Sequence, residues 1–315
     1  MIAPGWTNPF EQPGAWRRAN LHTHTTASDG KVSLQERVNE YDVQGYDILA
    51  VTDHHAITGL DGLRDPEALL VLSGAELHPG NPFGGATYHF ICLGIREQID
   101  AKRAAHPQEV IDAVNAQGGL VFLAHPYWCR HTMNDLAPLR NYAGVEVYNY
   151  NCHCEGRADS TQIWDEMLTR GPALPAIACD DCHDAATAAV DTFGAWTWVR
   201  TASLTPAAVL SALKTGHSYS SCGPEIKKIE ISDALSDKKK PVGGPAKTHK
   251  IRVTTSKAHE ILFVSDLSGA RVAAPDGRSV TEGEFLVRPG ARFVRIEVVD
   301  RSSRRAWSNP IPFIW

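Results

Sequence analysis

The sequence predicts an α/β protein, a run of βα units followed by a smaller all-β segment. Three observations carry this. From Asn20 to about Arg200, short apolar runs alternate with amphipathic stretches. Polar residues gather at the ends of those apolar runs, as they do where parallel strands present a site. Beyond "SYSSCGPEI" the texture changes to apolar/polar alternation between turn residues, the pattern of antiparallel strands.

Taken in order, the expected strands of the first part are "ANLHTH", "DILAVTDHH", "LLVLSGAEL", "YHFICLGI", "GLVFLAHP", "GVEVYN", "PAIACDD" and "AWTWVR". Helices are expected between them. Ser33 and Glu36 make the Ser-x-x-Glu of a capping box ahead of a helix reaching Tyr41. "HPQEVIDAVNAQGG" ends on paired glycines suited to a left-handed cap. Thr205, Pro206 and Gly216 supply the N-cap, first position and terminator of another helix. We divide the chain into residues 1–223 and an antiparallel β appendage over 224–315. The appendage opens with a charged, Pro/Gly-rich stretch, "SDKKKPVGGPAK", expected to be a solvated loop or hairpin tip. Its strands are expected at "KIRVTTS", "EILFVSD", "EGEFLVRP" and "RFVRIEVVD".

Composition narrows the function. A hydrophobic fraction of 43% allows a sizeable core. A formal net charge of −5 gives no basic field for a nucleic-acid backbone, so no polymeric nucleic acid is expected as partner. Seven scattered cysteines, an odd number, lack the spacing of a disulfide framework and point to a reducing cytoplasm. The first residues lack the apolar core of a signal peptide, and no run is long and apolar enough to span a membrane.

"NLHTHTTASDG" sets His22 and His24 two apart, on one face of a strand, with Asp29 in the loop that follows. Adding His54, Glu76, His89, His125, Asp181 and His183 collects six imidazoles and three carboxylates without a thiolate. That set suits borderline to hard divalent ions such as zinc, manganese or iron, and it is too large for one ion. Each piece alone has an ordinary structural explanation: an exposed strand histidine, an N-cap Asp, a loop-start histidine. Their conjunction on one predicted edge favours a centre of two or three divalent ions. Asp53 and His55 flank His54 and are expected to orient ligands. The Cys152/Cys154 and Cys179/Cys182 pairs are read as inert thiols of core or pocket wall, and Trp128, Trp196 and Trp198 as packing.

The succession "HTHTTASDG", "VTDHH", "GAELH", "YHFICLG", "AHPY" and "DDCHD" resembles the polymerase and histidinol phosphatase (PHP) family of metal-dependent hydrolases. "GVEVYN", "STQIWDEML", "FGAWTWVR", "LKTGHSYSSCGPEI" and "RRAWSNPI" further resemble its carbaryl-hydrolase-like (CehA/McbA) branch. The likeness runs over nearly the whole chain. It implies a distorted (β/α)7 barrel with a trinuclear centre at the strand C-termini. By resemblance, His22, His24, Glu76 and Asp181 hold a first ion. Glu76 bridges to a second on His89 and His125, and Asp29, His54 and His183 hold a third. Asp181 rather than Asp180 is taken as the ligand by analogy with the family's Asp-x-His.

The expected function is hydrolysis of a small-molecule substrate, foremost a phosphorylated metabolite or nucleotide, by a metal-bridged hydroxide. A carboxyl ester, carbamate or amide is the alternative substrate. A non-catalytic metal-binding module is the alternative of another class, whose signature, missing ligands, is not seen. Candidates for the general acid are His217 and His153. Arg130, Arg157 and Arg200 are candidates for gripping phosphate, and Asn149 for a substrate-side hydrogen bond.

Overall fold

The computed structural model describes residues 1–63, 69–82, 84–188, 190–239 and 245–315. β1 (Ala15–Asn20), β2 (Ile48–Val51) and β3 (Leu70–Leu77) pair in parallel. β4 (Phe90–Leu93) turns back antiparallel to β3, and β5 (Leu120–Leu123) is antiparallel to β4. β6 (Gly144–Asn149) and β7 (Ala176–Cys179) resume the parallel direction. β8 (Trp196–Thr201) lies antiparallel to β1 on its other side, followed by β9 (Ser218–Ser221). Every residue of β2, β4, β5 and β7 is buried, as strands covered on both faces must be.

The helices form where local chemistry predicts them. α1 (Leu34–Val43) starts on Ser33 and Glu36, which bond each other's backbone in a complete capping box. α2 (Pro107–Ala116) is capped by His106 and ends before Gly118, whose φ of 77° is the left-handed stop. α3 (Met133–Leu136) is one short turn, and α4 (Thr161–Arg170) buries Trp164. α5 (Pro206–Lys214) has Thr205 accepting from the Ala208 amide.

The expected distorted (β/α)7 barrel is not what forms. Among the described residues the large sheet is open and mixed, with β7 at one edge. The reversal at β4 breaks the parallel repeat. The sheet curls until its edge meets β1 just past both strand ends, where Thr23 and Cys182 share an isolated parallel bridge. There the Asp181 amide donates to the His22 carbonyl and the His24 amide to the Cys182 carbonyl, both at 3.0 Å. The curl brings β7, one edge of the sheet, back onto the strands beside β1 as well: the Ala178 amide donates to the Thr197 hydroxyl of β8, and the Ser220 hydroxyl of β9 donates to the Ala176 carbonyl.

Further along come β10 (Ile226–Lys239), β11 (Pro245–Ala258), β12 (Glu260–Ser265), β13 (Ala270–Ala273), β14 (Val280–Leu286), β15 (Phe293–Val299), β16 (Arg305–Ser308) and β17 (Ile311–Pro312). β10, β11 and β14 make a separate antiparallel sheet, while β12, β13, β15 and β16 extend the large one through a β16–β9 pairing. Ile251, Val253, Ile261, Phe263, Val294 and Ile296 are buried in one core shared by the two sheets. Within the expected hairpin tip, residues 240–244 lie outside the described residues. No described helix is long and apolar enough to cross a membrane.

One buried cation fastens α4 to β15. The Arg295 guanidinium, fully enclosed, donates to both oxygens of Asp165 at 2.7 and 2.8 Å and to Glu297, and lies 5.0 Å from the Trp164 ring centre. Asp165→Ala removes both bonds of this bidentate pairing and leaves the guanidinium to Glu297. The expected cost is about 2–3 kcal/mol, read from urea unfolding; a loss under about 0.5 kcal/mol, the scale of an ordinary surface change, would mean Glu297 holds the guanidinium alone.

Candidate metal centre

Glu76, near the end of β3, is 1% exposed and stands at the middle of the site. Its Oε2 lies 3.3 Å from His22 Nε2, 3.4 Å from His24 Nε2 and 2.9 Å from His54 Nδ1. Its Oε1 lies 2.7 Å from His89 Nδ1, 3.3 Å from His78 Nε2 and 3.4 Å from His125 Nε2. Asp181 closes the other side, Oδ1 sitting 3.2 Å from His22 Nε2 and 3.0 Å from His24 Nε2. Asp29, on the solvent side, faces His54 at 3.4 Å and His183 at 3.5 Å.

All nine residues expected as donors converge here. His22, His24, Glu76 and Asp181 form one grouping with the spacing of ion ligands, and His24, Asp29, His54 and His183 form another. His89 and His125 share Glu76 Oε1. His89 comes from the start of β4, because that strand runs backwards and its N-terminal end lies on the site edge. His22 and His24 lie just past the end of β1 rather than on it.

Several buried polar atoms have no hydrogen-bond partner: His22 Nε2, both ring nitrogens of His24, His54 Nδ1, His78 Nε2 and Asp181 Oδ1. Leaving such an atom unmet costs about 1–3 kcal/mol, and divalent ions among these groups would satisfy most of them. The donors therefore fit a metal. Burial alone would raise the pKa of Glu76, but His22, His125 and His54 hold it well below the ordinary carboxylate range. Asp181 is likewise lowered, by His22 and His24 against its burial. Burial pushes His89 down to about 4, leaving it neutral, the form that binds metal. At His22 the same burial is outweighed by Asp181, Glu76 and Glu146, which hold the ring well above its usual value. An ion binding there must displace a proton.

Other side chains fix the donors. Glu146, missed in the sequence, is fully buried within β6. It meets His22 Nδ1 at 3.1 Å and accepts from the His125 amide at 2.8 Å and from Asn149 at 2.9 Å. Asp53 accepts from Thr25, Ser28 and Thr58, which pins the loop carrying Asp29. Arg37, fully buried, donates to the carbonyls of His24, His183 and Asp184, clamping two ligand-bearing loops. Asp180 accepts from the amides of Phe193, Gly194 and Ala195 and from the Tyr41 hydroxyl, so it faces away from the donors. Burial raises its pKa to about 6 against those hydrogen bonds. His125 and Asp181 hold φ values of 26° and 56°, strained for residues with a side chain and worth about 1–3 kcal/mol each.

The remaining candidates are corrected. Asn149 spends its amide on Glu146 and on Asp181 Oδ2 (3.1 Å), so it orients a ligand and does not point to substrate. His217 bonds Thr7, and its carbonyl accepts from the amide of Arg200, which pairs with Trp16 at the start of β1. That is roughly 20 Å from His22 at ~3.3 Å per residue. Arg200 itself donates to the Gln12 carbonyl at the same far end. Neither can reach the centre. His153 is exposed beside Tyr148 and does not line the cavity, and Arg130 and Arg157 line a separate hollow of about 400 Å³ with Tyr127 and Glu166. The cavity at the centre is about 170 Å³, and Trp128, Asn151, Cys152 and Glu155 complete its wall. Trp128, expected only to pack, stands edge-on to His89 and His125, 5.6 and 5.1 Å away. The thiols of Cys152 and Cys182 are pushed up by burial, the latter to about 12, so these two stay protonated. A larger groove of about 640 Å³ beside α4 holds the Arg295 network and no imidazole.

The site is a His/Asp/Glu cluster fit for metal ions, and the fold is shared with a solved structure. Over 95% of this chain and 96% of the other, it matches the structure of a two-domain protein from Bacteroides vulgatus containing a predicted PHP-like metal-dependent phosphoesterase, with a TM-score of 0.53 and 15% identity. The chain belongs to one family with the uncharacterised protein MJ1587 of Methanocaldococcus jannaschii, to which it is 31% identical over 145 residues, 42% of this chain and 81% of that protein. A 45-residue stretch is 44% identical to a 5′-3′ exoribonuclease of Haemophilus influenzae, covering 14% of this chain and 16% of that enzyme. No family model matches the chain.

Glu146→Gln puts an amide donor against groups that already donate. It is expected to weaken metal binding about 10–100-fold with the fold intact, measured by competition with a chromophoric chelator. Unchanged affinity would remove Glu146 from the supporting role.

Proposed function

We propose that the protein is a metal-dependent phosphoesterase acting on a small phosphorylated metabolite or a nucleotide. The observation that carries this reading is the cavity wall. Most of it is ligand imidazole and carboxylate, Trp128 is its one large apolar side chain among the described residues, and at about 170 Å³ it admits little more than the reacting group. An aryl carbamate needs an apolar slot, which this wall does not offer. Membership of the carbaryl-hydrolase-like branch, and with it an ester, carbamate or amide substrate, rests on the quoted segments alone and is ranked second. The words phosphoesterase and exoribonuclease in the names of the matched proteins agree with phosphorus chemistry.

The nine donors would hold two or three divalent ions, with Glu76 offering one oxygen to each side. Such ions supply Lewis-acid activation of water and offset charge building on the substrate's oxygens, the main need in phosphate ester hydrolysis. The chain's own residues do the rest. Glu146 fixes the tautomer of His22, with Nδ1 protonated and Nε2 directed at the centre. Asn149 holds Asp181 Oδ2, leaving Oδ1 free for the donors' side. Trp128 supplies the large apolar face of the cavity wall, and Asn151 and Glu155 add polar groups to it.

The test is hydrolysis of p-nitrophenyl phosphate, nucleoside monophosphates, a 5′-phosphorylated short oligoribonucleotide, naphthyl acetate and naphthyl carbamate by metal-loaded protein. Phosphorus-ester turnover is expected, reduced about 100-fold or more in Glu76→Gln. Acetate or carbamate turnover with every phosphorus ester untouched would overturn the ranking.

A further inference from the structure

We propose that His78 is a further metal donor, holding a divalent ion together with Glu76 and His54; this rests on the reading of the cluster as a metal centre. His78 lies two residues beyond Glu76, so strand alternation carries it to the same face. Its Nε2 is 3.3 Å from Glu76 Oε1, and His54 Nδ1 is 2.9 Å from Oε2. Donor atoms of the three residues lie within 4.8 Å of one another, the spacing of ligands around one ion.

The second observation is independent of that spacing. His78 Nε2 is buried and unpartnered, despite its closeness to Glu76, because the two are not aligned for a hydrogen bond. The other orphaned atoms in this cluster all belong to the nine expected donors, and His54 Nδ1 is one of them. The ring is also held in place. It stacks on His89 with centres 3.7 Å apart and meets His54 and His55 edge-on at 4.7 and 4.8 Å. His78 is not among the residues lining the cavity, and its Nε2 faces Glu76. A neutral imidazole has one lone pair. An ion taken by His54 Nδ1 therefore leaves Asp29 and His183 to hold their own neighbour without it.

The test uses full-length protein stripped by chelator and titrated with cobalt(II), followed by visible absorption and by elemental analysis after gel filtration. Wild type is compared with His78→Ala and His78→Gln, and with His131→Ala, a histidine outside the cluster, as control. One binding event is expected to weaken about 10-fold or more in both His78 variants, with its absorption band altered. The melting temperatures of the stripped proteins should match wild type. Should the alanine variant fail to fold, the glutamine variant, closer in size, decides. Titrations of the His78 variants that superimpose on wild type would overturn the assignment and leave the metal centre standing. Wild type that takes up no cobalt, zinc or manganese would instead overturn the centre itself.

Discussion

A carboxylate with 1% of its surface exposed, ringed by six imidazoles, is the constraint around which the molecule is arranged. An ionised group so deeply enclosed is costly unless charge or coordination compensates it. Imidazoles alone do so incompletely, because many of their nitrogens have no aligned partner. The arrangement makes physical sense as a cradle whose final member is a cation. In that view the open sheet matters for where its curl brings β7 back to β1. The bridge between Thr23 and Cys182 sets the His22–His24 pair against Asp181, and the backward run of β4 delivers His89 to the same end.

Much of this was legible in the chain. The nine expected donors could be grouped because most sit in short polar insertions bordering apolar runs, and chemistry of that kind leaves a local trace. The capping box of α1 and the Thr205–Pro206 start of α5 were legible for the same reason. Strand direction was not. "YHFICLGI" reads the same whichever way it pairs, and whether a sheet closes depends on twist summed over many strands. The far placement of His217 and Arg200 followed from reading candidates by residue type, without the register of β8 on β1, which sets them beside Trp16.

The misses share a cause. Glu146 is a lone carboxylate between Val145 and Val147 in a buried stretch of strand, a signal that was available and that a search for ligand motifs passes over. Asn149 was noticed but assigned outward, because strand-end polar residues are easily taken for substrate contacts; here both its amide donors are committed to carboxylates. Arg37 sits in the middle of α1, where an arginine is normally solvated, and only the folded chain shows it turned inward onto three carbonyls. Side chains that support a site are set by long-range contacts, so local pattern says little about them.

The most direct measurement is anomalous diffraction from crystals of metal-loaded protein, collected above and below the absorption edge of the ion. The account predicts two or more peaks within about 2.0–2.4 Å of the Glu76 oxygens and the neighbouring imidazole nitrogens. Fully loaded crystals with no anomalous peak at Glu76, or with ions bound only elsewhere on the surface, would contradict it.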